Sequence, residues 1–145
     1  MGNFISLSKL NTFSSTIPNC VSYDPTFAYE LAVIIQNGMH RMYSKDEDLF
    51  YYITVMNENY QHPEMPKNAE EGIIKGIYKL KSSESDSKLK VRLIGSGSIL
   101  EEVKAAAEML ESRYGVAAEI WSLTSASQLQ REGKEAVRWN LLHPD

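Results

Sequence analysis

The stretch of this sequence whose residue types and spacing come closest to chemistry is Gly95-Ser96-Gly97-Ser98. It follows the apolar run Val91, Leu93, Ile94 and precedes a helix-forming segment. At such a turn the free amides and dipole of a helix end attract anions, which is how many α/β proteins hold phosphate. The dinucleotide pattern G-x-G-x-x-G is not completed, because position 100 is Leu, and no Gly-Lys-Ser/Thr follows. A tight structural turn therefore accounts for the glycines better, with an anion site at Gly95, Ser96, Gly97 and Ser98 as the alternative. A second candidate is Asn57-Glu58-Asn59, which leaves the C-terminal end of a strand-like run, where open α/β sheets place their ligands.

The other reactive residue types are dispersed. His40, His62 and His143 lie far apart without H-x-x-x-H or Cys/His spacing, so no metal site is expected. Glu70-Glu71 and Glu101-Glu102 read as acidic first turns of helices. General acid or base work would need a buried, paired carboxylate, and those two positions give no sign of one. No serine sits in G-x-S-x-G. Cys20, beside Pro18 and Asn19, reads as a packed small residue rather than a nucleophile. No residue is assigned a catalytic or metal-binding role.

The elements that position these candidates follow from periodicity. Lys90 to Thr124 reads as strand, glycine turn, amphipathic helix and strand, with Ser98 and Glu101 as a capping box and Gly115 as the helix stop. Leu100, Val103, Ala106, Ala107, Leu110 and Tyr114 form its apolar face, and the right-handed crossover rule makes the two strands parallel. Upstream, Ile17 to Tyr23 reads as a short strand. Asp24 as N-cap and Pro25 at the first helical position predict a helix from Pro25 to about Ser44, weakened by Gly38. Leu49 to Met56 is the strongest strand signal, rich in aromatic and β-branched residues. Asn57 to Pro66 reads as a linker, Ala69 to Lys75 as a short helix and Gly76 to Leu80 as a strand. Ser125 to Leu142 is a helix candidate interrupted by Gly133.

Composition narrows the classes of function. A hydrophobic fraction of 43% with 23% charged residues fits a folded domain rather than disorder. The net charge of −4, with no cluster of Lys and Arg, argues against nucleic-acid binding. One cysteine excludes an intrachain disulfide and fits a reducing cytoplasm. No apolar run approaches the ~20 residues of a membrane span. Met1 to Ser6 fits the short myristoylation pattern M-G-x-x-x-[ST], but no polybasic second anchor follows.

Five stretches resemble, in order, the homodimeric-type pyruvate dehydrogenase decarboxylating component, a thiamine-diphosphate enzyme of the transketolase superfamily. They are TIPNCVSYDPTFAYELAVIIQNGMHRMY, YYITVMNENYQHPEMP, EEGIIKGIYKL, VRLIGSGSILEEVKAAAEML and REGKEAVRWNLLHP. The resemblance implies an α/β fold, a partial three-layer α/β sandwich with a mostly parallel, transketolase-like sheet. Residues 1–16 would be a leader that does not match the family, 17–65 the end of a pyrimidine-binding domain, and 66–145 the start of a transketolase-type C-terminal domain. It further implies a homodimer that uses thiamine diphosphate and magnesium to decarboxylate pyruvate and acetylate a lipoyl-bearing acetyltransferase. The family's cofactor ligands and its histidine-rich loop match nothing here; SKLNTFSS stands in the loop's place. The chain is therefore expected to be a fragment, inactive alone and binding no cofactor by itself. Asn57, Glu58 and Asn59 remain substrate-channel candidates. A small anion-binding module and a self-associating interaction fragment are the alternatives.

Overall fold

The computed structural model describes residues 16–56, 59–83, 85 and 87–144. Strands β1 (Cys20–Tyr23) and β2 (Phe50–Ile53) pair in parallel, Cys20 opposite Phe50 and Tyr23 opposite Ile53. Helix α1 (Ala28–Met39) connects them and ends in a π-helical turn over His40–Ser44. After the linker come α2 (Glu70–Lys75), β3 (Ile77–Lys81), β4 (Lys90–Gly95), α3 (Ile99–Tyr114), β5 (Ala117–Leu123) and α4 (Ala126–Leu142). β5 lies in the middle of the second sheet, parallel to β4 as the crossover rule requires and antiparallel to β3. The architecture is α/β, with parallel pairing in both sheets.

Apolar burial ties the two sheets together. Val21, Tyr23 and Ile34 from the first half pack with Ala69, Ile73 and Tyr78 from the second. Phe27 at the start of α1 joins Leu100 and Ala107 of α3 and Ala118 and Ile120 of β5. Phe27, Ile34, Ile73 and Leu100 are almost wholly enclosed. At about 25 cal/mol per Å² of apolar surface, each such side chain contributes on the order of 2 kcal/mol, the main force holding the halves in place.

Several local expectations are corrected. α1 begins at Ala28, with Phe27 in the extended cap position, rather than at Pro25. The Asp24 carboxylate is drawn instead to the hydroxyls of Thr54 and Ser96, and the opening amides of the helix are taken by Glu30. The Ser98 capping box does not form, because Ser98 already has helical backbone angles and makes no side-chain cap bond. Glu101 N–H instead reaches Ser98 O in a tight turn. Of the expected apolar face of α3, Leu100 and Ala107 are buried, but Tyr114 is exposed at the far end. β2 stops at Ile53, shorter than Leu49 to Met56, since its partner β1 ends at Tyr23; the Thr54 N–H still donates to Tyr23 O, and its hydroxyl turns to Asp24. Gly133 does not interrupt α4, where it faces open space and the Ser125 hydroxyl caps the helix from Gln128 N–H. Gly115 ends α3 as expected, and Val116 N–H closes the turn on Leu110 O.

Candidate functional site

An open cleft of about 780 Å³ lies where strands of both sheets end. Thr54, Val55 and Met56 leave β2 on one side, and Gly95, Ser96 and Gly97 leave β4 on the other. The structure thus brings the glycine turn and the end of β2 to one place, though they are some forty residues apart in sequence. Of the second candidate group, Asn57 and Glu58 lie outside the described residues. Asn59 is exposed and is not part of the cleft wall.

Asp24, just past β1, sits between the two sides. Its carboxylate accepts the Thr54 hydroxyl at 2.5 Å and the Ser96 hydroxyl at 2.7 Å. Its backbone N–H donates to Thr124 O at 2.7 Å, and the Thr26 hydroxyl donates to Gly97 O at 3.0 Å. Gly97 adopts φ +54°, and a Cβ there would stand 3.0 Å from the Asp24 carboxylate. Gly95 is equally constrained, because a Cβ would come within 2.9 Å of the Leu100 backbone. The glycines thus serve close approach of backbone to helix and to Asp24. An acidic side chain facing the turn opposes the helix-end attraction for phosphate, so the geometry disfavours the anion-site alternative.

A second carboxylate, missed by the sequence reading, is wholly enclosed. Glu30, in the first turn of α1, has no exposed surface. One oxygen accepts the Thr26 and Phe27 amides at 2.5 and 3.0 Å. The other accepts the Tyr78 hydroxyl of β3 at 2.6 Å and the Ser122 hydroxyl of β5 at 2.7 Å. Tyr78 has only one proton and gives it to Glu30, so Tyr29 donates to the Tyr78 oxygen, 2.6 Å away. Burial pushes the Tyr29 phenol up to about 12. Burial, then the neighbouring Glu30 carboxylate, hold the Tyr78 phenol far above its ordinary value, which keeps it a donor. Taking a carboxylate out of water costs several kcal/mol, and a hydrogen bond to a charged group returns roughly 1.5–3 kcal/mol. Four donors about offset that cost, so the group fixes geometry more than it adds stability. One signal was legible: Glu30 shares the helical face of Phe27 and Ile34, an apolar stripe where an acidic residue must be buried or paired.

Elsewhere, Cys20 is packed away with 3% of its surface exposed, as expected of a small core residue. His62 is exposed but caps α1 by accepting the Ala28 N–H at its Nδ1, 3.2 Å away. A smaller cavity of about 190 Å³ lies under the linker, between Pro63, Leu80, Ala107 and Ile120. Among the described residues, no group of three or more His, Cys, Asp or Glu could hold a metal ion. No helix among them is long and apolar enough to cross a membrane.

Two α/β segments joined by an extended linker, with a cleft at their strand ends, are consistent with the transketolase-like class that the family models identify. A model of the pyruvate dehydrogenase E1 component middle domain matches residues 7–63, and one of the transketolase-like TK C-terminal domain matches residues 76–145. The pyruvate dehydrogenase E1 component of Escherichia coli K12 is 58% identical over 132 residues, and that of Pseudomonas aeruginosa 55% over 131. Each alignment covers 90% of this chain and 15% of the relative. The Cupriavidus necator component is 52% identical over 135 residues, 92% of this chain and 15% of its own length. The chain belongs to the pyruvate dehydrogenase E1 component family and spans about 15% of the length of these relatives.

Proposed function

We propose that this chain forms the junction between the pyrimidine-binding and C-terminal domains of a pyruvate dehydrogenase decarboxylating component, divided near residues 65 and 66. The observation that carries the reading is the Glu30 cluster, in which a carboxylate from the segment matching the middle domain is closed by hydroxyls from the segment matching the C-terminal domain. In the whole component, a cytoplasmic homodimer decarboxylates pyruvate and reductively acetylates the lipoyl group of its acetyltransferase partner. Thiamine diphosphate, held through magnesium, would supply the electron sink for that chemistry when bound. The described residues do not fit this cofactor. Activating the aminopyrimidine needs a carboxylate with a free oxygen, and both oxygens of Glu30 are taken by two donors each. Asp24 is held by Thr54 and Ser96. The chain's own part is therefore to orient the two domains, and the resemblance to the family makes Asn57, Glu58 and Asn59 its candidates for lining the substrate channel.

The test is a chimera in which residues 17–145 replace the matching segment of the Escherichia coli component. It is expected to release carbon dioxide from pyruvate when supplied with thiamine diphosphate and magnesium, while the purified chain alone does not. A chimera that folds and dimerises but is inactive would overturn the reading, as would decarboxylation by the chain alone.

A further inference from the structure

We infer that Glu30 is a docking latch that couples the second sheet to the glycine turn at the cleft, and this goes beyond the enzymatic reading. The hydrogen bonds form a continuous run. Tyr29 donates to Tyr78, and Tyr78 and Ser122 donate to one Glu30 oxygen. The other oxygen holds the amides of Thr26 and Phe27, and the Thr26 hydroxyl holds Gly97 O at 3.0 Å. Phe27, between these anchors, inserts into the apolar cluster under α3. The segment Asp24 to Phe27 has no regular structure of its own. Its conformation is set from both sides, by Glu30 at one end and by Ser96 and Gly97 at the other.

The consequence is directional. When Tyr78 and Ser122 are in place, Glu30 is satisfied and its second oxygen fixes the opening of α1. That in turn holds the Thr26 hydroxyl at the glycine turn. Without the two hydroxyls, an enclosed carboxylate keeps only half its donors and must seek water. The opening of α1 then loosens, and the glycine turn loses one of its two ties to it. The latch is built from hydroxyl donors on two strands, so it reports their register as well as their presence: Tyr78 and Ser122 are paired residues of β3 and β5.

Hydrogen exchange on the full 145-residue chain tests this, comparing the native protein with Tyr78→Phe and with Tyr78→Phe combined with Ser122→Ala. The double variant is expected to raise exchange about tenfold in peptides covering residues 24–31 and 95–100. The helix of residues 103–114 should stay within the native rate. If the double variant does not fold, the Tyr78→Phe protein alone is read for the same pattern at smaller size. Equal acceleration in all peptides would mean simple destabilisation and would overturn the latch. So would acceleration confined to residues 24–31, or none in either peptide.

Discussion

Two carboxylates near the start of α1 meet the second half of the chain through the same chemistry and to opposite ends. Glu30 is enclosed and has all its acceptor sites filled; Asp24 is partly exposed at the mouth of a cleft, with Thr54 and Ser96 as its side-chain donors. Both take a hydroxyl from a strand end of the second sheet or from the turn that follows one. The difference lies in what surrounds them. Glu30 is backed by Phe27, Tyr29 and Tyr78, and water cannot replace a lost partner. At Asp24 water can, so the same loss costs less. Burial, rather than the number of contacts, decides which of the two organises the fold.

Glu30→Ala should therefore have the largest effect on stability. It strands two amides and two hydroxyls in an enclosed space, and each buried donor left without an acceptor costs roughly 1–3 kcal/mol. Urea unfolding followed by circular dichroism measures this, and a loss below about 1 kcal/mol would show that the cluster is wet. Gly97→Ala comes next. A left-handed backbone at a residue with a Cβ costs about 1–2 kcal/mol. The Asp24 oxygen 3.0 Å from that Cβ adds crowding, so the Ser96 contact should loosen as well. Asp24→Asn should cost only about 1 kcal/mol, because water reaches the site. Were Asp24→Asn to cost as much as Glu30→Ala, the contrast between the two carboxylates would collapse.

A pH series sharpens the same contrast. The Tyr29 and Tyr78 phenols titrate higher in the folded chain than their ordinary value of 10. Their contribution is complete below that value and is lost as pH rises through the folded values, starting near pH 10 and passing about 12 for Tyr29. Tyr78→Phe should shift the stability curve downward at neutral pH and make its fall above pH 10 shallower than in the native chain. Unchanged alkaline slope in that variant would mean that Tyr78 is not held as a proton donor. At the acid end, Glu111 and Glu119 run the other way. The Ser83 hydroxyl and the Ala118 amide keep the Glu111 carboxyl below its usual range, and Lys79 and Arg92 do so for Glu119. Their contributions are present above the ordinary carboxylate value and fade as pH falls.

Much of the architecture was legible because it rests on local pattern. The parallel β4–α3–β5 unit followed from an apolar run, a glycine turn and an amphipathic helix, and the family from five ordered motifs. The missed features depend on distant partners. Asp24-Pro25 has the local form of a helix start, but Thr54 and Ser96 compete for the carboxylate and Glu30 supplies the amides with acceptors from inside. Ser98 and Glu101 have capping-box spacing, yet the turn needed for Gly95 to pass Leu100 already places Ser98 in helical geometry. The antiparallel β3 had no signature, since nothing in Ile77 to Lys81 specifies which neighbour it pairs with. In each case the local preference was real, and tertiary hydrogen bonds outweighed it.

The smallest effect is expected from adding phosphate. The turn Gly95 to Ser98 opens α3 and so offers backbone amides and the positive end of a helix dipole, worth about 0.3–1 kcal/mol to an anion near the surface. Asp24 opposes this: two unit charges about 4 Å apart repel by roughly 1–4 kcal/mol between water and a protein surface. The Ser96 hydroxyl, the obvious side-chain donor for a phosphate, is already given to Asp24. Repulsion therefore equals or exceeds attraction, and calorimetric titration of the native chain with inorganic phosphate should show no heat above dilution. Asp24→Asn removes the repulsion while leaving the turn in place, so weak binding that appears only in that variant would confirm that the carboxylate, and not the shape of the turn, closes the site. Saturable binding to the native chain would show that the cleft carboxylate does not govern the turn, and would return Gly95 to Ser98 to the role of an anion site.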